Sequence, residues 1–118
     1  MSKSEDTHLM DKEKEQKRLF RITPKYYSEL DRKKNIMNFE IHLPGVQKEK
    51  VSLKILPDLM HLEATREMDN NEVIYTLTRY FSYEVEPDSI EANCSNGLLK
   101  FSVKIKDPLA EAIDIKLS

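Results

Sequence analysis

The two glycines constrain the fold of this chain most, because a sequence of 118 residues with so few must place them where geometry requires them. Glycine adopts a positive φ without steric cost. Gly45 stands in Leu43-Pro44-Gly45-Val46, and Gly97 follows Asn96 between apolar runs. Asn-Gly in that setting is the strongest short-range signal for a β-hairpin. We therefore expect Gly45 to end one strand and Gly97 to form a hairpin turn.

Apolar and polar residues alternate with a period of two from Pro24 to Ile105, as half-buried strands require. The clearest run is Met37, Phe39, Ile41 and Leu43. Residues 73–85 predict one long strand, which Glu86-Pro87-Asp88 should break. Six or seven short strands with regular turns indicate an all-β, immunoglobulin-like β-sandwich.

The charge-rich beginning of the chain predicts a segment outside this sandwich. We expect a flexible arm or a marginal helix over residues 1–23, the domain over residues 24–106 and a short extension over residues 107–118. The arm contains few apolar side chains, which are Leu9, Met10, Leu19, Phe20 and Ile22.

Composition excludes several classes of function. A net charge of -2 gives no electrostatic reason to expect nucleic acid or an anionic membrane as partner. The single cysteine, Cys94, suits a reducing cytoplasm, and no apolar run suggests a signal peptide or membrane span. His8, His42 and His61 have no metal-ligand spacing, and two isolated glycines cannot cradle a phosphate. We expect a cytoplasmic protein without cofactor, metal or enzymatic activity.

Five segments, in matching order, resemble the small heat-shock protein (Hsp20, or α-crystallin) family. They are Leu43-Pro44-Gly45-Val46, then Leu62-Glu63-Ala64-Thr65-Arg66, then residues 85–92, then the signature of Ala92, Asn96, Gly97, Leu98 and Leu99, and finally Ile113-Asp114-Ile115. The resemblance implies an α-crystallin domain with a C-terminal Ile-x-Ile motif. It departs from the family at Ala64, where a glycine is usual.

In such proteins a tail strand fills an apolar groove of another copy. The resemblance implies that Ile113 and Ile115 are the tail residues. The groove candidates are Val51, Leu53 and Ile55 on one strand and Leu99, Phe101 and Val103 on the strand after the Asn96-Gly97 turn. Alternatively, Ile113 and Ile115 form an ordinary final strand of their own domain.

The implied function is that of an ATP-independent holdase, a chaperone that binds partly unfolded proteins and works as a dimer-based homo-oligomer. Co-chaperone adaptors of the p23 or CS type, and structural or coat proteins, use the same sandwich and remain alternatives. Bacterial, plant and archaeal members of the family usually carry a long loop with a strand that swaps onto the partner. Here only Met68 to Thr78 separate the strand around Arg66 from Arg79-Tyr80-Phe81, which is too short for such a loop. The resemblance instead implies the pattern of the animal members, a fused strand that pairs antiparallel with its twin, here through Ile74, Thr76, Thr78, Arg79 and Tyr80.

The N-terminal arm is shorter and poorer in aromatic residues than is usual in the family, where the arm contributes to client capture. The resemblance implies that Leu9, Met10, Leu19, Phe20 and Ile22 are the client candidates, with smaller assemblies and modest activity.

Overall fold

The computed structural model describes residues 18–118, and this part of the chain forms eight strands in two packed sheets. The strands are β1 (Arg18–Ile22), β2 (Tyr26–Asp31), β3 (Ile36–His42), β4 (Val51–Leu56), β5 (Leu59–Met68), β6 (Asn71–Tyr80), β7 (Val85–Ser95) and β8 (Leu98–Ile105). One sheet has the order β1-β6-β5-β4 and the other β2-β3-β8-β7. The predicted all-β sandwich is confirmed.

The core between the sheets is apolar, as the alternation predicts. Met37, Phe39 and Ile41 of β3 are buried, and they lie opposite Val103, Phe101 and Leu99 of β8. The rings of Phe39 and Phe101 stack with centroids 4.6 Å apart. Within the described residues no polar or charged side chain is fully buried. Apolar burial therefore holds the two sheets together.

The two glycine corners meet at one end of the sandwich. Asn96 and Gly97 both have positive φ, of 51° and 73°, in the two-residue turn between β7 and β8. The amide of Leu43 donates to the carbonyl oxygen of Gly97 at 2.6 Å. A Cβ on Gly97 would lie 2.6 Å from the carbonyl oxygen of Leu43. The Leu-Pro-Gly segment and the Asn-Gly turn therefore form one packed corner rather than two separate ones.

Gly45 has a different neighbour. Its φ is +80°, and a Cβ there would lie 2.7 Å from Nη1 of Arg66. The guanidinium of Arg66 also lies 5.8 Å from the ring centroid of Tyr75. Gly45 thus leaves room for an arginine side chain from β5, which the sequence alone did not reveal.

Two strand boundaries differ from the predictions. The long strand expected over residues 73–85 ends at Tyr80, because Phe81 and Val85 donate instead to the carbonyl oxygens of Asp58 and Pro57, at 2.8 and 2.7 Å. The next strand, β7, then runs through Pro87, although the sequence predicts a strand break at Glu86-Pro87-Asp88. Proline is tolerated on an edge strand.

A bulge accommodates Pro87, since the register of β7 against β8 shifts between Glu86 and Glu91. The hydroxyl of Ser89 donates to the carbonyl oxygen of Glu86 at 2.7 Å and accepts from the amide of Lys104 at 2.8 Å. This side chain therefore supplies hydrogen bonds where the ladder is interrupted.

The prediction of a flexible arm or helix is wrong for its last residues. Arg18–Ile22 form β1, which pairs parallel with Asn71–Tyr75 of β6. The sequence does not indicate this strand, because apolar and polar residues do not alternate in Leu19-Phe20-Arg21-Ile22. Leu9, Met10 and His8 lie outside the described residues.

Candidate functional site

The candidate site is the side of the sandwich where the edge strands β4 and β7 of the two sheets approach each other. Val51, Leu53 and Ile55 of β4 pack against the core but are only partly buried. Ile90 and Cys94 of β7 do the same. We call these five residues the β4–β7 seam. It presents apolar side chains to solvent between two strands that each have a free edge.

The prediction that the strand after the Asn96-Gly97 turn lines the groove is wrong. Leu99, Phe101 and Val103 lie on β8, which is flanked by β3 and β7, and their exposed fractions are only 3%, 3% and 1%. They belong to the core and do not line an open groove. The alternation of these residues shows that one face is buried, but it does not reveal that the strand is central.

The signature residues occupy four different positions. Asn96 and Gly97 form the hairpin turn, Leu98 is half-buried, and Leu99 lies in the core. Ala92 lies opposite the buried Phe101, and therefore on the same side of the sheet, yet it is exposed. A small side chain there keeps this side of β7 open, between Ile90 and Cys94. The signature thus bears on the seam through Ala92, which precedes the turn.

Cys94 is a half-buried free thiol at the seam. Burial raises its pKa, the charge of Glu49 adds to that rise, and Lys48 opposes it. Both charged residues belong to the short 3-10 helix Lys48–Lys50 that precedes β4. The neutral thiol is therefore favoured, which is the opposite of what a cysteine nucleophile requires.

The tail leaves the sandwich after β8. Asp107 begins a turn, in which its carboxylate accepts from the amide of Leu109 at 2.9 Å. Ile113 and Ile115 then follow outside any strand, with exposed fractions of 82% and 75%. The interpretation of these two residues as a final strand of their own domain is therefore wrong. That they fill the seam of another copy stays a prediction.

Leu117 is a third exposed apolar residue in the tail, with an exposed fraction of 87%. It continues the spacing of Ile113 and Ile115, so an extended tail would present all three on one face. The sequence carried this signal, because the alternation simply runs one step beyond the Ile-x-Ile motif.

The strand expected to pair with its twin is β6. It follows β5 through a two-residue turn, Asp69-Asn70, since Met68 pairs with Asn71. That hairpin contains no room for a swapped strand. The outer edge of β6 is free only in part, because β1 covers Asn71–Tyr75 and leaves Thr76–Tyr80.

The five dimer candidates differ in what they contact. Ile74 lies opposite Arg21 of β1, and Thr76 lies beyond the end of β1. Two others have contacts of their own. Thr78 Oγ1 shares a 2.7 Å hydrogen bond with Nδ1 of His61, and Arg79 Nε donates to the hydroxyl of Tyr26 at 2.8 Å. Tyr80 has an exposed fraction of 75%. Arg79 therefore already connects its own two sheets, through β2.

The outer face of the second sheet carries polar side chains, among which Lys100 Nζ lies 3.8 Å from Glu40 Oε1. No group of three histidines, cysteines or carboxylates within residues 18–118 could hold a metal ion. Nor does any helix there have the length and apolarity needed to cross a membrane.

Comparison with known proteins identifies the family. A sequence profile of the Hsp20/alpha crystallin family matches residues 29–118, from β2 to the end of the tail. The chain belongs to this family. No curated protein matches this Hsp20-family chain in sequence.

Solved structures of small heat-shock proteins share the fold of this Hsp20-family chain. Heat shock protein 16.0 from Schizosaccharomyces pombe is 20% identical with a TM-score of 0.64, over 83% of this chain and 77% of that one. A point mutant of hsp14.1 from Sulfolobus solfataricus P2 is 14% identical with a TM-score of 0.63, over 99% and 98%. A small heat-shock protein from Xylella fastidiosa, described as having a distinct high order structure, is 14% identical with a TM-score of 0.59, over 82% and 97%.

Proposed function

We propose that this chain is an ATP-independent holdase, which binds partly unfolded proteins through apolar surface and prevents their aggregation. The observation that carries the proposal is the exposed tail, in which Ile113 and Ile115 lie in water beside a domain whose seam is also apolar. Exposed contiguous apolar surface is a feature of interaction sites. Membership of the Hsp20 family supports the same role.

Assembly follows from the fit between the tail and the seam. An extended tail presents Ile113 and Ile115 on one face, and β4 presents Val51, Leu53 and Ile55 with the same spacing of two. The tail of one copy can add to the free edge of β4 in another, in the manner of β-strand addition. Each buried isoleucine contributes about 1.5–3 kcal/mol before ordering costs. A single tail therefore binds weakly, and several tails in one assembly bind by avidity.

The remaining parts of the proposal concern the setting. We infer a homodimer through β6, higher homo-oligomers through the tails, and a cytoplasmic location. The activity needs no catalysis, cofactor or metal, and the partners are unfolding proteins rather than nucleic acid or membrane. Exposed Leu19, Phe20 and Ile22 of β1 are further candidates for contact with such proteins.

Light scattering after size exclusion tests the tail. The double variant Ile113→Ala with Ile115→Ala should have a lower molar mass than the wild type, because both seam contacts are lost. The matched control, Asp114→Ala with Lys116→Ala, changes the same segment without changing net charge and should keep the wild-type mass. Equal mass for the isoleucine variant and the wild type would show that the tail does not drive assembly.

An aggregation assay with a heat-labile enzyme, without ATP, tests the holdase activity. The wild type should suppress light scattering by the heated enzyme. The degree of suppression by the isoleucine variant should differ from the degree of suppression by the control variant. No suppression at an equal number of subunits would reject the holdase proposal. A co-chaperone adaptor or a structural role would then be the better account.

A further inference from the structure

Strand β1 divides the outer edge of β6 into a covered half and a free half. Arg18 lies opposite Asn71, and Ile22 lies opposite Tyr75, so the parallel pairing ends at Tyr75. Among the described strands, none pairs with the outer edge of Thr76–Tyr80. An exposed strand edge is a template for pairing with another chain.

Few registers are possible when two copies join through this edge. Two antiparallel copies are related by a two-fold axis perpendicular to the sheet. One residue therefore faces the same residue of the other copy, and the remaining residues pair symmetrically about it. We call this residue the centre of the register. A centre at Leu77 would need Ile74 to face Tyr80, although β1 already covers Ile74. A centre at Thr76 would need still more of the covered half.

Centres beyond Thr78 are also unfavourable. A centre at Arg79 would place two arginines directly opposite each other, and like charges in that position destabilise a sheet. A centre at Tyr80 would pair Arg79 with Phe81, which lies outside β6. A centre at Thr78 uses only Thr76–Tyr80 and opposes no like charges.

We propose that β1 is a register stop, which confines the pairing of two copies to Thr76–Tyr80 and centres it on Thr78. This inference rests on the proposed function, in which β6 pairs with its twin. In this register Thr76 faces Tyr80 twice, which is the favourable pairing of a β-branched residue with an aromatic one. Tyr80, whose ring is mostly exposed in the single chain, is thereby covered.

The register stop is removable. All five residues of β1 are exposed, so few apolar contacts hold this strand against β6. When β1 leaves, the free edge lengthens from Thr76–Tyr80 to Asn71–Tyr80. Longer pairing centred on Thr76 then becomes possible. The N-terminal strand thus selects between a short and a long interface on one edge.

Cysteine cross-linking of the full-length chain tests this register. In a Cys94→Ser background, Thr78→Cys places two thiols on directly opposite residues, whose Cα atoms lie about 4.5–5.5 Å apart, within disulfide range. Thr76→Cys is the matched control on the same face, because its two copies would be offset by four residues, or about 13 Å. Under mild oxidation Thr78→Cys should form a covalent dimer, and Thr76→Cys should stay monomeric on a non-reducing gel.

Disrupting β1 should change this result. Phe20→Pro removes a backbone amide from β1, and Phe20→Ala is the control that shortens the side chain alone. The Thr76→Cys cross-link should appear with Phe20→Pro and should stay absent with Phe20→Ala. Circular dichroism checks that each variant keeps the β-sheet signal of the sandwich, from which Phe20→Pro should lose β1 alone.

Three outcomes would overturn the inference. Equal cross-linking of Thr78→Cys and Thr76→Cys in the otherwise intact chain would leave the dimer standing but would refute the fixed register. An unchanged pattern with Phe20→Pro would show that β1 does not set it. If neither variant cross-links while light scattering shows dimers, the β6 interface itself is wrong, and the register inference fails with it.

Discussion

Replacing Gly97 by alanine should destabilise the domain more than any other single-methyl addition at a turn. The φ of +73° costs a residue with a Cβ about 1–2 kcal/mol. The new methyl would also lie 2.6 Å from the carbonyl oxygen of Leu43. That oxygen cannot easily move, because the amide of Leu43 is held by Gly97 at 2.6 Å. Overpacking of this kind costs about 1–3 kcal/mol, so we expect a total loss of about 2–5 kcal/mol.

Gly45→Ala is the matched comparison. Gly45 has a similar φ of +80°, but the atom closest to its new methyl is Nη1 of Arg66, at the end of a flexible side chain. We therefore expect Gly45→Ala to lose only the stability that a positive φ costs a residue with a Cβ, about 1–2 kcal/mol. The difference between the two variants isolates the rigid contact at the joint corner.

Equilibrium urea denaturation at one protein concentration measures both variants, since assembly would otherwise shift the midpoint. In a thermal scan about 1 kcal/mol corresponds to about 4–8 °C for a domain of this size. With a loss of about 2–5 kcal/mol, Gly97→Ala should therefore melt about 8–40 °C below the wild type. If Gly97→Ala loses no more stability than Gly45→Ala, the packed corner does not constrain the domain as described.

Two further predictions concern β7. Ser89→Ala should cost about 1 kcal/mol in urea denaturation, because the Lys104 amide loses its partner at the bulge, whereas exposed Ser52→Ala should be neutral; equal losses would contradict this role for Ser89. Because the pKa of Cys94 is raised in the folded chain, this thiol contributes to the stability of the folded state. The contribution is fully present below the ordinary thiol pKa and should disappear as the pH rises through the pKa of the folded chain. At pH 8, Cys94 should react with iodoacetamide more slowly in the folded than in the urea-unfolded chain, and Glu49→Gln should accelerate the folded reaction; an unchanged rate would exclude the electrostatic contribution of Glu49.

The sequence predicts the strands whose apolar residues alternate, and the hairpin whose turn needs Asn-Gly. Both signals are local, as Met37 to Ile41 and Asn96-Gly97 illustrate. The order of strands in a sheet is not local. Phe101 and Leu53 both stand between polar residues, yet Phe101 lies on a central strand and Leu53 on an edge strand.

The features that sequence could not supply depend on distant partners. Strand β1 exists because β6 pairs with it, although the two are separated by about half of the chain. Pro87 stays in a strand because β7 is an edge and Ser89 completes the hydrogen bonds. Arg66 explains Gly45 only once β5 lies beside it. The seam could not be predicted for the same reason. Ala92 and Cys94 lie beside or within it on β7, and nothing in the sequence indicates that β7 is an edge strand.

The short connection between β1 and β2 favours β1 over any other peptide in the competition for the edge of β6. Only Thr23, Pro24 and Lys25 separate the two strands, and Pro24 is buried, so one end of β1 stays anchored when the strand leaves β6. A tether this short keeps the strand at an effective concentration of about millimolar beside its own edge. A stray peptide would have to reach a similar concentration to take that place. The covered half of β6 is therefore protected from chance aggregation by its own chain, and the free half is left for association.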